Sequence, residues 1–267
     1  MYAFNYSKAA GVTDAAAKLS ANSEAKLLAG GQTLLAAMKL RLASPSELVD
    51  LAGIAELAGI KTEGGALVIG AMTRHAEVAR SAEVSKVIPA LAKLAGGIGD
   101  RMVRNMGTLG GSLATNDPAA DYPAAVLGLG ATVHTNKRKI SGDSFFTGMY
   151  GTALETGEII TAVSFPVPKR AGYVKFPNPA SRYAMVGVFV SETSSGIRVA
   201  VTGAGPCVFR VSAMEKALAA KFAPESVASI PVAADDLSSD MHASAQYRAH
   251  LVKVMAKRAV AEAISGC

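Results

Sequence analysis

The chain has 267 residues, 50% of them hydrophobic and 18% charged, with a mean hydropathy of +0.29. That composition excludes a disordered polypeptide, and the length suits one large or two modest domains with buried cores. No run of about 18 apolar residues escapes interruption by Gly, Ser, Thr or a charge, which argues against a membrane-spanning helix. Met1 to Lys8 lack a basic segment followed by an apolar one, so a cytoplasmic protein is expected. Cys207 and Cys267 are the only cysteines, too few for a disulfide framework, a structural zinc site or a protein-held iron–sulfur cluster. Net charge is +6, and the residues after 133 carry +5 of it. The basic clusters Lys137-Arg138-Lys139 and Lys253/Lys257/Arg258 have no interleaved aromatic residues for base stacking. A solvated face or an acidic partner protein is therefore expected in preference to nucleic acid.

In chain order, Ala25 to Ala29 reads as a strand entering Gly30-Gly31. A helix over Gln32 to Leu42 follows, with Leu34, Leu35, Met38 and Leu42 at helical spacing, until Ser44-Pro45 ends it. Glu47 to Leu51 is the next strand, completing a strand, glycine turn, helix, strand unit of the kind that builds α/β layers. Ala66 to Ala71 is a further strand, and Thr73 is the expected N-cap of a helix over Arg74 to Ser81, with Ala76 an incomplete capping-box partner. Val84 to Ala95 reads as a helix interrupted by Pro89. The glycine-dense segments 96–99 and 105–112 read as turns. A polar loop over 114–123 starts a short apolar helix, Ala124 to Leu129, and strands are expected at Ala131 to Thr135 and Ile159 to Phe165. Pro166-Val167-Pro168 marks the best domain boundary. Beyond it, Tyr173 to Phe176, Tyr183 to Ser191 and Ile197 to Thr202 read as an antiparallel sheet. Two helices follow, from about Val211 to Phe222 and from Ala245 to Ile264.

Gly30-Gly31 puts free backbone N–H groups beside a helix N-terminus, which makes either a tight connection or an anion site suited to a phosphate or pyrophosphate. Gly107-Thr108-Leu109-Gly110-Gly111-Ser112 is a second such turn, with hydroxyls at Thr108 and Ser112, and two turns of this kind suit a diphosphate held from both sides. Neither is a Walker A loop and neither fits the Rossmann fingerprint. Asp117 and Asp121 can accept hydrogen bonds from ligand hydroxyls, and Asp121 can equally cap the helix starting near Tyr122. His75, His134, His242 and His250 lack metal-ligand spacing and read as ordinary surface or satisfied residues. Neither a metal site nor a set of catalytic residues can be nominated. The residues by themselves describe an α/β protein that binds a diphosphate-containing cofactor.

Several spaced motifs carry a resemblance over essentially the whole chain: Ala29-Gly30-Gly31-Gln32-Thr33, Ile69-Gly70-Ala71-Met72-Thr73, Arg104 to Gly111, and Asp117-Pro118-Ala119-Ala120-Asp121-Tyr122-Pro123. Ala245 to Leu251 with Lys257-Arg258-Ala259 continues it. In these the chain resembles the FAD-binding medium subunits of aerobic carbon monoxide dehydrogenase and other molybdenum hydroxylases, the xanthine dehydrogenase family. The resemblance implies an α+β fold: a two-lobed FAD-binding domain of the vanillyl-alcohol-oxidase (PCMH) type, then a smaller α+β domain with a short antiparallel sheet. The implied divisions are residues 1–57 and 58–171 for the lobes and 172–267 for the last domain. It also implies that Ala29, Gly30, Gly31, Gln32 and Thr33, flanked by Leu28 and Leu34, hold the FAD pyrophosphate together with Thr108, Leu109, Gly110, Gly111 and Ser112. Asp117 would bind nearby, Asp121 would bind a flavin-side group, Ile160 and Lys175 would lie near the flavin, and Tyr183 would cover a face of it. Ser181-Arg182 stands where the carbon monoxide enzymes tend to carry Gly-Asp. As an electron outlet, such a subunit works with a large molybdenum-cofactor subunit and a small 2Fe-2S subunit, in a dimer of heterotrimers. The complex could meet the inner face of the membrane. Alternatives are a free-standing flavin oxidase or reductase of the same fold, the medium subunit of an aromatic, aldehyde or purine hydroxylase, and an assembly module without FAD.

Overall fold

The computed structural model describes residues 1–266, and Cys267 lies outside them. Three short strands, β1 (Asn5–Lys8), β2 (Ala25–Leu28) and β3 (Glu47–Asp50), form a parallel sheet in the order β1-β3-β2. Parallel neighbours need crossover connections. Here these contain the helices Val12–Ala21 and Leu34–Lys39. The second helix stops three residues short of the expected Leu42. Arg41 takes a left-handed φ of 59°, and the Leu42 N–H closes back on the Ala37 carbonyl at 2.9 Å, as in a Schellman termination. Leu42 is consequently exposed rather than on the packed face with Met38.

Next comes an antiparallel sheet of five strands, β4 (Ile60–Glu63), β5 (Ala66–Gly70), β6 (Thr132–Thr135), β7 (Lys139–Ser141) and, after a small ribbon of β8 (Phe146–Gly148) and β9 (Gly151–Thr152), β10 (Ile160–Pro166). Its order is β4-β5-β10-β6-β7. Six helices are inserted between β5 and β6. The first, His75–Arg80, is capped one residue later than expected: the Glu77 carboxylate accepts the Arg74 N–H at 2.9 Å, while the Thr73 hydroxyl is engaged with Gly59. Pro89 divides the next stretch into Ala82–Val87 and Pro89–Gly96, occupying the first helical position where its missing N–H costs nothing. The glycine-dense stretch departs from its expected turns, because Arg101–Met106 and Leu109–Thr115 are helical. Asp100 and Thr108 cap them by accepting the N–H groups of Val103 and Gly111. Tyr122–Leu129 is buried on every side, which its unbroken apolar sequence requires.

The remaining strands, β11 (Arg170–Pro177), β12 (Ala184–Thr193), β13 (Gly196–Thr202) and β14 (Phe209–Arg210), form an antiparallel sheet in chain order. β12 reads Ala-Met-Val-Gly-Val-Phe-Val without polar alternation because both its faces are covered. Val186, Val188 and Val190 pack in one core with Leu251, Met255 and Ala259 of the long helix Ala245–Ser265. On the other face, Phe189 joins the core of Tyr122–Leu129, and the Ser191 hydroxyl donates to the Gly128 carbonyl at 2.5 Å. The sheet thus forms the joint with the preceding domain. Ser212–Ala220 and Pro224–Ala228 are the other helices that follow this sheet's strands.

Candidate functional site

A cleft of about 530 Å³ opens where the first sheet, the Leu109–Thr115 helix and the loop before β12 converge. Gly31 has a φ of 70°, the left-handed region that glycine enters without a steric penalty. Gly30 is needed for a different reason. A Cβ there would lie 2.0 Å from the Met106 carbonyl oxygen and 2.8 Å from the Gly107 Cα, so the two glycine segments touch backbone to backbone. Gly110 seats its helix on β5's end in the same way: its N–H donates to the Ala71 carbonyl at 2.8 Å, and a Cβ would meet that residue's Cβ at 2.6 Å.

The two segments offer different donors. The N–H groups of Gly30, Gly31, Gln32 and Thr33 make no hydrogen bond among the described residues, and all four residues line the cleft. In the second segment the N–H groups of Leu109, Gly110, Gly111 and Ser112 are already engaged by Thr73, Ala71, Thr108 Oγ1 and the Thr108 carbonyl. The expectation of a second turn with free backbone N–H groups is thus corrected over Leu109 to Ser112. Glycine in the second segment serves helix packing, and the donors that it leaves free among the described residues include the Thr108 N–H and the Ser112 hydroxyl.

Ala29 to Leu34, Thr108, Gly110 to Ser112, Asp117, Asp121, Ile160 and Tyr183 all line the cleft. Leu28, Leu109 and Lys175 do not. Leu28 ends β2 with its carbonyl accepting the Leu51 N–H, and Leu109 is fully buried in the core. Asp117 is folded on its own turn, accepting the Ala119 N–H at 2.9 Å. Asp121 occupies the N-cap position of Tyr122–Leu129 but its side chain caps nothing. Its carboxylate accepts the Tyr173 hydroxyl at 2.6 Å and the Lys175 ammonium at 2.9 Å. Burial drives the Asp121 carboxyl above its ordinary range, opposed by Lys175 and Tyr173.

His75 was expected to be an ordinary surface or satisfied histidine and is instead a wall of the cleft, 5% exposed, with Nδ1 buried and without a partner among the described residues. Burial, aided by the Arg104 charge, pulls its pKa down to about 4, so it is neutral at pH 7. Its ring lies 5.3 Å from that of Tyr122, whose buried hydroxyl also lacks a partner among the described residues. The signal for His75 was its place two residues after the Ile69 to Thr73 motif. Nothing local marked Tyr173. Glu158 also borders the cleft, its pKa held down to about 2, chiefly by hydrogen bonds from Arg138. Arg138 makes this pair while staying exposed, as expected of its basic cluster. Among the described residues no group of His, Cys, Asp and Glu could hold a metal ion, and no helix is long and apolar enough to cross a membrane.

Residues 2–168 match the family model described as the FAD binding domain in molybdopterin dehydrogenase, and residues 172–263 match the CO dehydrogenase flavoprotein C-terminal domain. The nicotine 6-hydroxylase medium subunit of Paenarthrobacter nicotinovorans is 36% identical over 98% of this chain and 97% of its own length. The carbon monoxide dehydrogenase medium chain of Hydrogenophaga pseudoflava is 35% identical over 99% and 98%. The solved carbon monoxide dehydrogenase of the same organism superposes with a TM-score of 0.90 at 36% identity, covering 100% of this chain and 99% of that one. Quinoline 2-oxidoreductase from Pseudomonas putida 86 follows with a TM-score of 0.89 at 30% identity, over 99% and 98%. Matched along nearly its whole length by both domains in this order, the chain belongs to the family of FAD-binding medium subunits of the molybdopterin dehydrogenases.

Proposed function

We propose that this chain is the flavin outlet of a heteromeric molybdenum hydroxylase of the carbon monoxide dehydrogenase type, holding FAD in the cleft between its two glycine segments. The observation that carries this reading is the set of four unengaged N–H groups at Gly30 to Thr33, set against the Ser112 hydroxyl across one cleft. That cradle fits a diphosphate: backbone donors approach closely where no side chain intervenes, and a Cβ at Gly30 would break the contact that shapes it. When bound, FAD would supply exchange between one-electron and two-electron transfer.

The chain's own residues bind, orient and exclude water. Gly30 to Thr33 would donate to diphosphate oxygens, with Thr108 and Ser112 closing from the other side. Asp121, fixed by Tyr173 and Lys175, would present its carboxylate edge to a polar group of the flavin end, while Ile160 and Tyr183 would wall that end against solvent. The divisions 1–57, 58–171 and 172–267 are proposed as lobes and domain, the first on the break between β3 and β4 and the second at the start of β11, two residues into that strand. The partners are a large molybdenum-cofactor subunit and a small 2Fe-2S subunit, assembled as a dimer of heterotrimers. They are supported by the whole-length likeness to medium chains and by this chain's having only two cysteines. A cytoplasmic assembly that can meet an acceptor at the membrane's inner face is part of the proposal.

The test is co-expression of the chain with the two partner genes. The reading expects a yellow complex with one FAD per copy of this chain, and substrate oxidation only when all three are present. A colourless chain that takes up no FAD, or one that turns over substrate unaided, would overturn it.

A further inference from the structure

Lys175 was expected beside the flavin, yet it does not line the cleft. Its side chain is 11% exposed. An ammonium has three N–H donors, and this one has three acceptors: the Gly97 carbonyl at 2.8 Å, the Arg182 carbonyl at 2.9 Å and the Asp121 carboxylate at 2.9 Å. These belong to three separate pieces of chain: the end of the Pro89–Gly96 helix, the loop between β11 and β12, and the start of the Tyr122–Leu129 helix. No donor is left over for a ligand.

Among the described residues, the loop over residues 178–183 is otherwise hydrogen-bonded only to itself. The Asn178 side-chain oxygen accepts the N–H groups of Ala180 and Ser181, its carbonyl accepts that of Arg182, and its own N–H donates to the Tyr183 carbonyl. Arg182 sits at a φ of 63°, a left-handed conformation that a side chain enters at a cost. Among the described residues, the Lys175 ammonium makes the only hydrogen bond that fastens Pro179 to Tyr183 to anything outside the loop. This is also the stretch that brings Arg182 and Tyr183 to the cleft.

The geometry points to Lys175 as a positioning residue: a buried strut that ties the loop before β12 to Gly97 and Asp121 of the FAD-binding domain and so sets Tyr183 at the cleft. The competing role is simpler, in which Lys175 only balances the buried Asp121 charge. The two roles separate in a pair of variants. Lys175→Met removes strut and counter-charge together. Lys175→Met with Asp121→Asn also removes the charge that needed balancing, and Asn can still accept the Tyr173 hydroxyl, but nothing replaces the bond to the Arg182 carbonyl.

The link to cofactor binding rests on the proposed function, whereas loop fastening does not. Hydrogen–deuterium exchange of the Asn178, Arg182 and Tyr183 amides is therefore measured on the FAD-free full-length chain, and FAD affinity is measured alongside by fluorescence titration. The strut predicts that Lys175→Met exchanges these amides about tenfold faster or more, the scale of one lost charge-assisted hydrogen bond. In the double variant the thermal midpoint should recover toward that of Asp121→Asn alone, while loop exchange stays fast and FAD affinity stays about tenfold or more below that single variant. Unchanged loop exchange in Lys175→Met would overturn the proposal. So would a double variant that matches Asp121→Asn in both exchange and affinity. Fast loop exchange in a chain whose wild type binds no FAD would leave the strut standing and overturn the cofactor reading instead.

Discussion

Replacing Gly30 with alanine perturbs the point where the two glycine segments meet. The new Cβ would fall 2.0 Å from the Met106 carbonyl oxygen, 2.7 Å from its carbon and 2.8 Å from the Gly107 Cα. Real Cβ contacts do not fall below 3.0 Å, so the segments must part by about 1 Å. Overpacking of this kind typically costs about 1–3 kcal/mol, and with backbone on the receiving side no rotamer change can relieve it, which places the cost in the upper half, about 2–3 kcal/mol. If the diphosphate is held across this contact, the same strain appears in binding, where each ~1.4 kcal/mol is tenfold, giving roughly a 30- to 150-fold loss of FAD affinity. Flavin fluorescence titration and thermal unfolding read the two effects. Gly53→Ala is the control, since a Cβ there meets nothing within 4 Å, and it should shift stability by less than about 0.5 kcal/mol. A Gly30→Ala chain with wild-type FAD affinity would refute the reasoning, even if its stability had fallen.

Asp121→Ala strips the carboxylate from the Tyr173 hydroxyl and the Lys175 ammonium at a site 4% exposed; breaking such a buried pair should cost about 3–5 kcal/mol by chemical denaturation, and a cost below about 1 kcal/mol would contradict the burial argument. His75 titrates near 6.5 when unfolded and near 4 in the fold. The unfolded chain therefore binds more protons between those values, so stability declines as pH falls from about 6.5 toward 4, and His75→Leu should flatten that slope in denaturation curves taken across the range. Arg248→Met should destabilise the last domain by about 2–4 kcal/mol, because the Met185 and Gly203 carbonyls lose a buried donor and Asp240 loses its partner. Its FAD affinity should remain within about twofold of wild type, the factor small enough to separate folding from the cleft.

Local chemistry made some of this legible in the sequence. Glycine density reports close backbone approach, and the Gly30-Gly31 amides stay free among the described residues, as an anion turn requires. The same density misled at Gly110-Gly111, where packing against Ala71 makes a helix and engages every N–H from Leu109 to Ser112. Asp121 shows the limit plainly. Its helix-start position follows from local pattern, but the side chain is turned toward Tyr173 and Lys175, 52 and 54 residues away, and no periodicity encodes that. β12 was recognisable as a strand, and its lack of alternation becomes intelligible only with helices on both faces. His75 looked unremarkable because burial, which removes its charge and its partner, is a property of the fold.

The most direct measurement is the structure of the chain, alone or in its complex, with FAD added. The account predicts cofactor density in the cleft, its diphosphate within hydrogen-bonding distance of the Gly30 to Thr33 N–H groups and its flavin end beside Asp121 and Tyr183. FAD bound elsewhere on the chain, or an empty cleft at saturating FAD, would contradict it.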